Sequence, residues 1–432
     1  MAEIHRVVSE IVWHFMKIWL VKFEEELPVD EDFRPRRMSM LAEELVGRGH
    51  SVVRWASDFS HELGRPRFNK RNQVKVKTGY NIELLGNIIS YSSSHSFRRI
   101  LVLYLQSFSL FFNMMKSSDR PDVVVAAMPA PITCLMVGLF CKLKNIPFFI
   151  DARDMWPDIL FDELSGIKKL MAMPLYLMMR LELKLASKWA RGLIGITQQF
   201  RDFLLFQAKR PVSKYDASFP IGFSESEPSH DEAEEIAFWQ KHDLKFCSDE
   251  TVIYFAGKLN KTVLTEAPKV ADAMKSLARS DRKVRLIMCG SGNSQNEIKV
   301  LFSGMDNVIF PGHVGASHLA FLKARSSIAL LAIEARKDYL NSLSNKFFDY
   351  ASGGLPIVTN LGGVPREVLE KNSAGFFYDS ANQLEQILSK LCDDDALLKR
   401  YSRNARVMFE NDFEPSKIYS KFAKHLETSV TQ

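Results

Sequence analysis

Two series of short apolar runs, one in each half of the chain, restrict the possible folds most. The first half contains MKIWLVKF, SVVRWAS, VVVAAM, PFFIDA and GLIGIT; the second contains TVIYFAG, VRLIMCG, VIFPG, SIALLAI and PIVTN. VVVAAM and PFFIDA lack polar alternation, as strands covered on both faces do. Helical segments separate the runs, among them RRMSMLAEELVGRGH, which ends at glycine. Such alternation builds a parallel sheet with helices on both faces. Its recurrence over 432 residues, too many for one core, predicts an α/β architecture of two doubly wound Rossmann-like domains facing across a cleft. The expected first domain covers residues 1–222, and a polar, acidic hinge region covers 223–250. The second domain is expected over 251–410, with a C-terminal helix at 411–432 packing back on the first domain.

Composition narrows the class. With 46% hydrophobic and 25% charged residues, the chain is not mainly disordered, collagen-like or coiled-coil. Five cysteines (Cys134, Cys141, Cys247, Cys289, Cys392) form no C-x-x-C pair and read as reduced, buried thiols of a cytosolic protein. Residues 1–15 carry Glu3, His5, Arg6 and Glu10 and lack the apolar stretch of a signal peptide. They are either an extension before a natural start at Met16 or a short amphipathic helix. Residues 123–141 carry no charge, but Pro129 and Pro131 divide them into a strand, a turn and a buried helix.

Doubly wound domains bind ligands at the carboxyl ends of strands and at helix N-termini, so charged and small residues there are the candidates. IDARDMWPDIL follows the strand PFFI and places Asp151, Arg153 and Asp154 at such an end. The bland alternative is an internal Arg–Asp ion pair that fixes the loop, and the two readings are compatible. GKLNK, from Gly257 to Lys261, follows TVIYFA; its glycine admits a diphosphate and Lys258 and Lys261 neutralise one. CGSGNS supplies Gly290 in a second small-residue turn, for which an ordinary strand-to-helix turn is equally good. In NSLSNKFFDYASGGLPIVTN, Ser342 and Ser344 are placed to cap a helix starting near Asn345. Its free amides can receive a phosphate, and Asp349, one turn on, can accept hydrogen bonds from two ribose hydroxyls. The alternative is a plain capped helix with a solvated aspartate.

Charge is unevenly spread. Residues 1–220 carry 31 Lys and Arg against 23 Asp and Glu; residues 221–432 carry 26 against 28. The first half should therefore meet the anionic partner. HELGRPRFNKRNQVKVK brings Arg65, Arg67, Lys70 and Arg71, and Arg37 is grouped with them. GIKKLMAMPLYLMMRLELKLASKWARG mixes methionines with Lys168 and Lys169, which suits an anionic membrane surface. A domain-packing helix with one wet side is the bland reading. The aromatic interleaving of a nucleic-acid groove is poor here.

Three stretches carry a family resemblance. RRMSMLAEELVGRGHSVV is similar to R-x-x-x-L-A-x-x-L-x-x-R-G-H-E-V. RPDVVVAAMPAP, continuing to IPFFIDARDMWPDIL, resembles P-D-V-V-x-x-x-P-P and V-R-D-L-W-P. SNKFFDYASGGLPIVTNLGGVPREVLEKNSAGFFY resembles P-[SN]-K-L-F-E-Y-M-A-A-G-x-P-V with its trailing segments. From about residue 16 to 410 the chain thus resembles glycosyltransferase family 4 of the GT-B fold, in its bacterial O-antigen and exopolysaccharide subgroup.

That resemblance implies a retaining transfer from a nucleotide-sugar donor, a UDP-sugar, without a cofactor or obligatory metal. It makes Lys258, Lys261, Gly257 and Gly290 donor contacts, with Ser344, Asn345 and Lys346 at the phosphates and Asp349 at the ribose. Asp154 and Arg153 fall at the first-domain catalytic position. The basic first half and the methionine-lysine helix point to a lipid-linked saccharide acceptor and a cytoplasmic location, peripheral at the inner face of the cytoplasmic membrane, and the lack of a docking motif argues against a nucleic-acid partner. Asp349 stands where the family usually has glutamate, and Glu334 lies fifteen residues earlier, so the E-x7-E pattern is altered. A non-hydrolysing UDP-sugar 2-epimerase of the same fold and a non-catalytic GT-B scaffold subunit are the competing readings.

Overall fold

The computed structural model describes residues 15–30, 33–60, 65–68, 73–86, 97–224, 231–244, 246, 250–280 and 282–430. The chain divides into two compact units, residues 1–219 with 419–432, and residues 220–418. Lys70, Arg71, Cys247 and residues 1–14 lie outside the described residues.

The first unit is built on an eight-stranded sheet. Its order is Ala217–Ser218, Gly192–Gly195, Phe148–Ala152, Val123–Ala127, Lys17–Val21, Ser51–Ser57, Tyr80–Leu85 and Gln73–Lys77. All neighbours are parallel except the last pair, which is antiparallel. Val123–Ala127 and Phe148–Ala152 are buried at every position, as runs without polar alternation require. The uncharged stretch separates into that first strand and the helix Pro131–Lys144, with Pro131 at its first position. No helix among the described residues is long and apolar enough to cross a membrane.

The strand Gln73–Lys77 lies inside the stretch read as basic surface. It is an edge strand in which exposed and covered residues alternate, and Lys77 pairs with Glu43. Lysines on such an edge oppose pairing with another chain.

The last helix, Pro415–Val430, supplies Tyr419, Phe422, Ala423 and Leu426 to the first unit's core, beside Ile18, Leu20, Val125 and Phe149. Phe422 stacks on Phe219 at 4.6 Å. Glu427 accepts two hydrogen bonds from Arg48, each 2.7 Å, and holds His50 at 2.8 Å.

The second unit has six parallel strands in the order Val308–Gly312, Val284–Cys289, Thr251–Ala256, Ile328–Leu331, Ile357–Thr359 and Gly375–Phe377. Taken in chain order this is 3-2-1-4-5-6, the doubly wound arrangement. Helix Lys261–Leu277 packs Val263, Ala267, Val270 and Met274 into the core. From the segment read as a hinge, helix Glu232–Gln240 adds wholly buried Trp239 to the same core.

In each sheet the strand order reverses beside the first strand. The reversal lies between Lys17–Val21 and Val123–Ala127 in one unit, and between Thr251–Ala256 and Ile328–Leu331 in the other. Connections there leave toward opposite faces and open a crevice at the carboxyl ends of the strands.

Candidate functional site

In the second unit, the loops after strands Thr251–Ala256 and Val284–Cys289 lie in backbone contact. Gly257 N donates to Cys289 O at 2.9 Å, and Leu259 N to Ser291 O at 3.0 Å. A Cβ on Gly290, whose φ is +138°, would fall 1.8 Å from the Gly257 carbonyl oxygen. A Cβ on Gly257 would fall 2.1 Å from Cε of Lys346. The tertiary structure therefore gathers Gly257, Gly290 and Lys346, which are far apart in the chain.

Helix Asn345–Ser352 brings Lys346 there, and Tyr350 bolts that helix to the strand end by accepting the Ala256 amide at 3.2 Å. Burial draws the Lys346 ammonium below its ordinary pKa, and it makes no hydrogen bond or ion pair among the described residues. Lys258 is exposed on the Gly257 loop, and Lys261 is exposed at the first position of helix Lys261–Leu277. Neither helix start receives a side-chain cap. Asn260 Oδ1 accepts the Thr262 hydroxyl at 2.6 Å instead.

The capping expectation is corrected. Ser344 is the N-cap residue by position, yet its Oγ accepts nothing and is buried without a partner. Ser342 donates to Asp338 O at 2.7 Å. Asn345 is exposed at the helix start. Two helix N-termini without side-chain caps and three lysines thus occupy one group of strand ends, the chemistry that receives a phosphorylated anion.

Asp349 is not a solvated aspartate. Its Oδ1 accepts Lys323 Nζ at 2.8 Å and its Oδ2 accepts Tyr254 OH at 3.2 Å. Lys323 is 8% exposed and also donates to Ser352 Oγ at 3.2 Å. Neither partner carried a signal in the sequence, because Lys323 sits in an ordinary helical segment and Tyr254 inside a strand.

The first unit concentrates charge at its own strand ends. Arg37 and Asp151 are both wholly buried and joined by two bonds of 2.9 Å, and Arg37 Nη1 donates to Phe219 O at 2.9 Å. The internal Arg–Asp pair therefore exists, but with Arg37 as the partner. The placement of Arg37 on an acceptor or membrane surface is corrected accordingly: a guanidinium with no exposed area meets neither.

Arg153 instead donates to Glu25 Oε2 at 2.7 Å. Glu25 Oε1 accepts the Met38 amide at 2.9 Å, serving as a remote cap for helix Arg37–Gly47, and lies 3.6 Å from Arg54. Burial alone would raise the Glu25 carboxyl, but Arg153 and Arg54 outweigh it and hold the pKa at about 2. Asp154 Oδ1 accepts the Met155 amide at 2.8 Å. Lys22, the residue after strand Lys17–Val21, is 8% exposed and donates to Met128 O at 2.8 Å. Lys22, Glu25 and Arg54 were missed in the sequence, although KFEEE after WLV puts Lys22 and Glu25 under the same test as Asp151 to Asp154, charge immediately beyond an apolar strand; Arg54, inside strand Ser51–Ser57, carried no such signal.

The basic surface is mixed. Arg65 is exposed, but Arg67 is corrected: it is held by Asp30 at 2.7 and 3.0 Å and by the Ser57 and Phe59 carbonyls. Helix Gly166–Trp189 exposes Lys168 and half-buries Lys169. Ile167, Leu170, Met171, Leu177, Met178 and Leu181 of that helix are exposed and recur at helical spacing, so they form one apolar stripe. Met179, Leu183 and Ala186 take the buried side.

Comparison with known proteins bears on both units. Residues 250–394 match the family Glycosyl transferases group 1. No curated protein matches the sequence. Among solved structures, the sucrose-phosphate synthase of Thermosynechococcus elongatus is similar with a TM-score of 0.67 at 13% identity, over 96% of this chain and 98% of that one. HepE of Anabaena, solved with UDP and glucose, is similar with a TM-score of 0.61 at 13% identity, over 96% and 100%. WaaG, a glycosyltransferase involved in lipopolysaccharide biosynthesis, gives 0.61 at 15% identity, over 94% and 98%. At such identities the likeness establishes the fold. The protein thus has the GT-B fold and carries a glycosyl transferases group 1 domain in its second half, and together these indicate a GT-B glycosyltransferase.

Proposed function

We propose that the protein is a retaining glycosyltransferase of family 4, transferring a hexosyl or N-acetylhexosaminyl group from a UDP-sugar to a lipid-linked saccharide in O-antigen or exopolysaccharide synthesis. One observation carries the donor half of this reading: Lys346, without a polar partner among the described residues, lies against the Gly257 loop beside two helix starts without side-chain caps. UDP bound in HepE supports the choice of nucleotide.

In this mechanism, charge develops on the leaving diphosphate as the glycosidic bond breaks. Lys258, Lys261, Lys346 and the first-turn amides at Ser344 and Asn345 stabilise that charge without reorganising. Gly257 and Gly290 let the backbone approach, and Asp349 receives the ribose. Asp154 orients the acceptor hydroxyl and Arg153 positions it. Closure around the reactants would exclude water and prevent donor hydrolysis. No cofactor or obligatory metal is invoked, so transfer should persist in EDTA.

The acceptor half rests on the exposed stripe from Ile167 to Leu181 and its neighbouring Lys168 and Lys169. An apolar face flanked by lysines favours an anionic membrane surface, so the protein is read as peripheral at the inner face of the cytoplasmic membrane.

The test is a panel of nucleotide sugars screened by thermal shift, followed by transfer assays. A binding donor raises the unfolding temperature by mass action. Lys346→Met should abolish the shift with UDP, whereas Asp154→Asn should keep it and lose transfer. Full activity in Asp154→Asn would remove that residue from the mechanism. Conversion of the donor without acceptor would identify an epimerase, and absence of any nucleotide binding would leave a scaffold. Sedimentation with anionic but not neutral vesicles, lost in Met171→Glu, tests the membrane half; equal turnover of a soluble acceptor with no vesicle binding would refute it.

A further inference from the structure

The strand ends of the first unit hold a cation that its surroundings do not neutralise. Lys22 follows strand Lys17–Val21 and reaches across the strand-order reversal to the Met128 carbonyl, which follows the neighbouring strand Val123–Ala127. That is its one hydrogen bond among the described residues, although an ammonium has three donors, and no carboxylate lies within ion-pair distance. The side chain is nonetheless 8% exposed. A buried donor without an acceptor is costly, and a buried charge without a counter-charge is costlier.

The neighbours do not supply the missing charge. Asp151 is committed to Arg37 through both oxygens. Glu25 is shared between Arg153, Arg54 and the Met38 amide. Glu24 binds Arg99 at 2.8 and 2.6 Å. Among the described residues here, buried Lys22, Arg37 and Arg54 face buried Glu25 and Asp151, with Arg153 and Asp154 both half-buried at the edge. The surplus is positive and sits at the crevice where a doubly wound sheet takes its ligand.

We propose that Lys22 binds a phosphate group of the ligand held by the first unit, with Arg153 reinforcing the field. In terms of the functional reading above, on which this clause rests, the group would belong to the phosphorylated acceptor. A phosphate brings the oxygens that the two unused donors need and a charge matching the surplus. The same anion explains why a lysine, rather than an apolar residue, stands at a nearly buried position.

Titration follows from the same setting. Burial, with Arg153 next, lowers the Lys22 pKa to about 8 against the opposing pull of Glu24, Glu25 and Asp154. Cys134, on the facing helix, is pushed by burial to about 12 and stays neutral below that. Lys22 should therefore lose its charge, and the site its anion, as the pH rises through 8.

The full-length protein, saturated with UDP to occupy the second unit, is titrated calorimetrically with inorganic pyrophosphate and with farnesyl diphosphate. Wild type should bind, and Lys22→Met should bind at least tenfold more weakly while retaining its UDP affinity, which reports correct folding. Lys22→Arg should keep binding at pH 7 and lack the decline of wild type between pH 7 and 9. Tighter binding of farnesyl diphosphate than of pyrophosphate assigns the phosphate to a lipid carrier, and equal binding assigns it to a soluble phosphate; either supports the site. Unchanged pyrophosphate affinity in Lys22→Met overturns it. If Lys22→Met fails to fold, an alkaline decline in Lys22→Arg equal to that of wild type overturns it instead. Failure of UDP to bind wild type would refute the donor reading and leave the Lys22 titration interpretable.

Discussion

Removing the Asp349 carboxylate tests what holds the Lys346 helix in place. Asp349→Ala leaves the Lys323 ammonium, 8% exposed, with only Ser352 Oγ at 3.2 Å as a polar partner. Breaking one side of a fully buried ion pair costs about 3–5 kcal/mol, because the remaining charge is stranded. The Asp349 side chain is 22% exposed, so water recovers part of this, and the expected cost is about 2–3 kcal/mol. For a unit spanning residues 220–418, the unfolding midpoint should fall by about 5–10 °C. Scanning calorimetry reads this in the transition that UDP shifts. The double variant Lys323→Met with Asp349→Leu removes both charges and should return to within about 1 kcal/mol of wild type, a strong coupling between neighbouring sites. Its UDP affinity should stay low, since the carboxylate proposed for the ribose is gone. A loss below about 0.5 kcal/mol in Asp349→Ala, or additive losses in the double variant, would refute the reasoning.

Other changes have equally definite outcomes. Arg37→Met strands the wholly buried Asp151 and should cost about 3–5 kcal/mol, seen as a lower urea midpoint; an unchanged midpoint contradicts the pairing. Gly290→Ala drives a methyl group to 1.8 Å from the Gly257 carbonyl oxygen, so the two loops must part and UDP affinity should drop at least tenfold by titration. Glu182, 6% exposed, has its carboxyl pushed up to about 7 by burial against the opposing hydrogen bond from Tyr104. The folded chain holds that proton more tightly than the unfolded one, so this stability is complete below about pH 4.5 and is lost as the pH rises to 7, by up to about 3 kcal/mol. Glu182→Gln should flatten that part of the stability profile between pH 5 and 8, and an unaltered slope would count against it. Glu25 has the opposite sign: with a pKa of about 2, its contribution is present above about pH 4.5 and disappears as the pH falls through 2, which acid unfolding of Glu25→Gln would register.

Each unit shows where local reading succeeds and where it fails. Strands such as Val123–Ala127 and Thr251–Ala256 were legible because double-sided burial writes itself as an uninterrupted apolar run. Gln73–Lys77 was not, because an edge strand alternates and its lysines read as surface charge. Tyr80–Leu85, although paired on both sides, escaped because Asn81 and Glu83 interrupt its apolar positions. In the site, Gly257 and Gly290 were legible as turn residues, and Lys346 only through the family resemblance. The missing side-chain caps at Asn260 and Ser344 were not, since a serine or asparagine before a helix ordinarily supplies that bond.

By itself, the sequence determined a doubly wound architecture repeated twice and the strand ends at which ligands would be sought, because periodicity and turn chemistry act over a few residues. Charge pairing was decided only in three dimensions. Arg37 finds Asp151 across 114 positions, Arg153 finds Glu25 across 128, and Asp349 finds Lys323 across 26. None of these partners could be read from sequence proximity. Burial at the strand ends forced most of these side chains to select a partner, whereas Lys22 and Lys346 make no ion pair among the described residues.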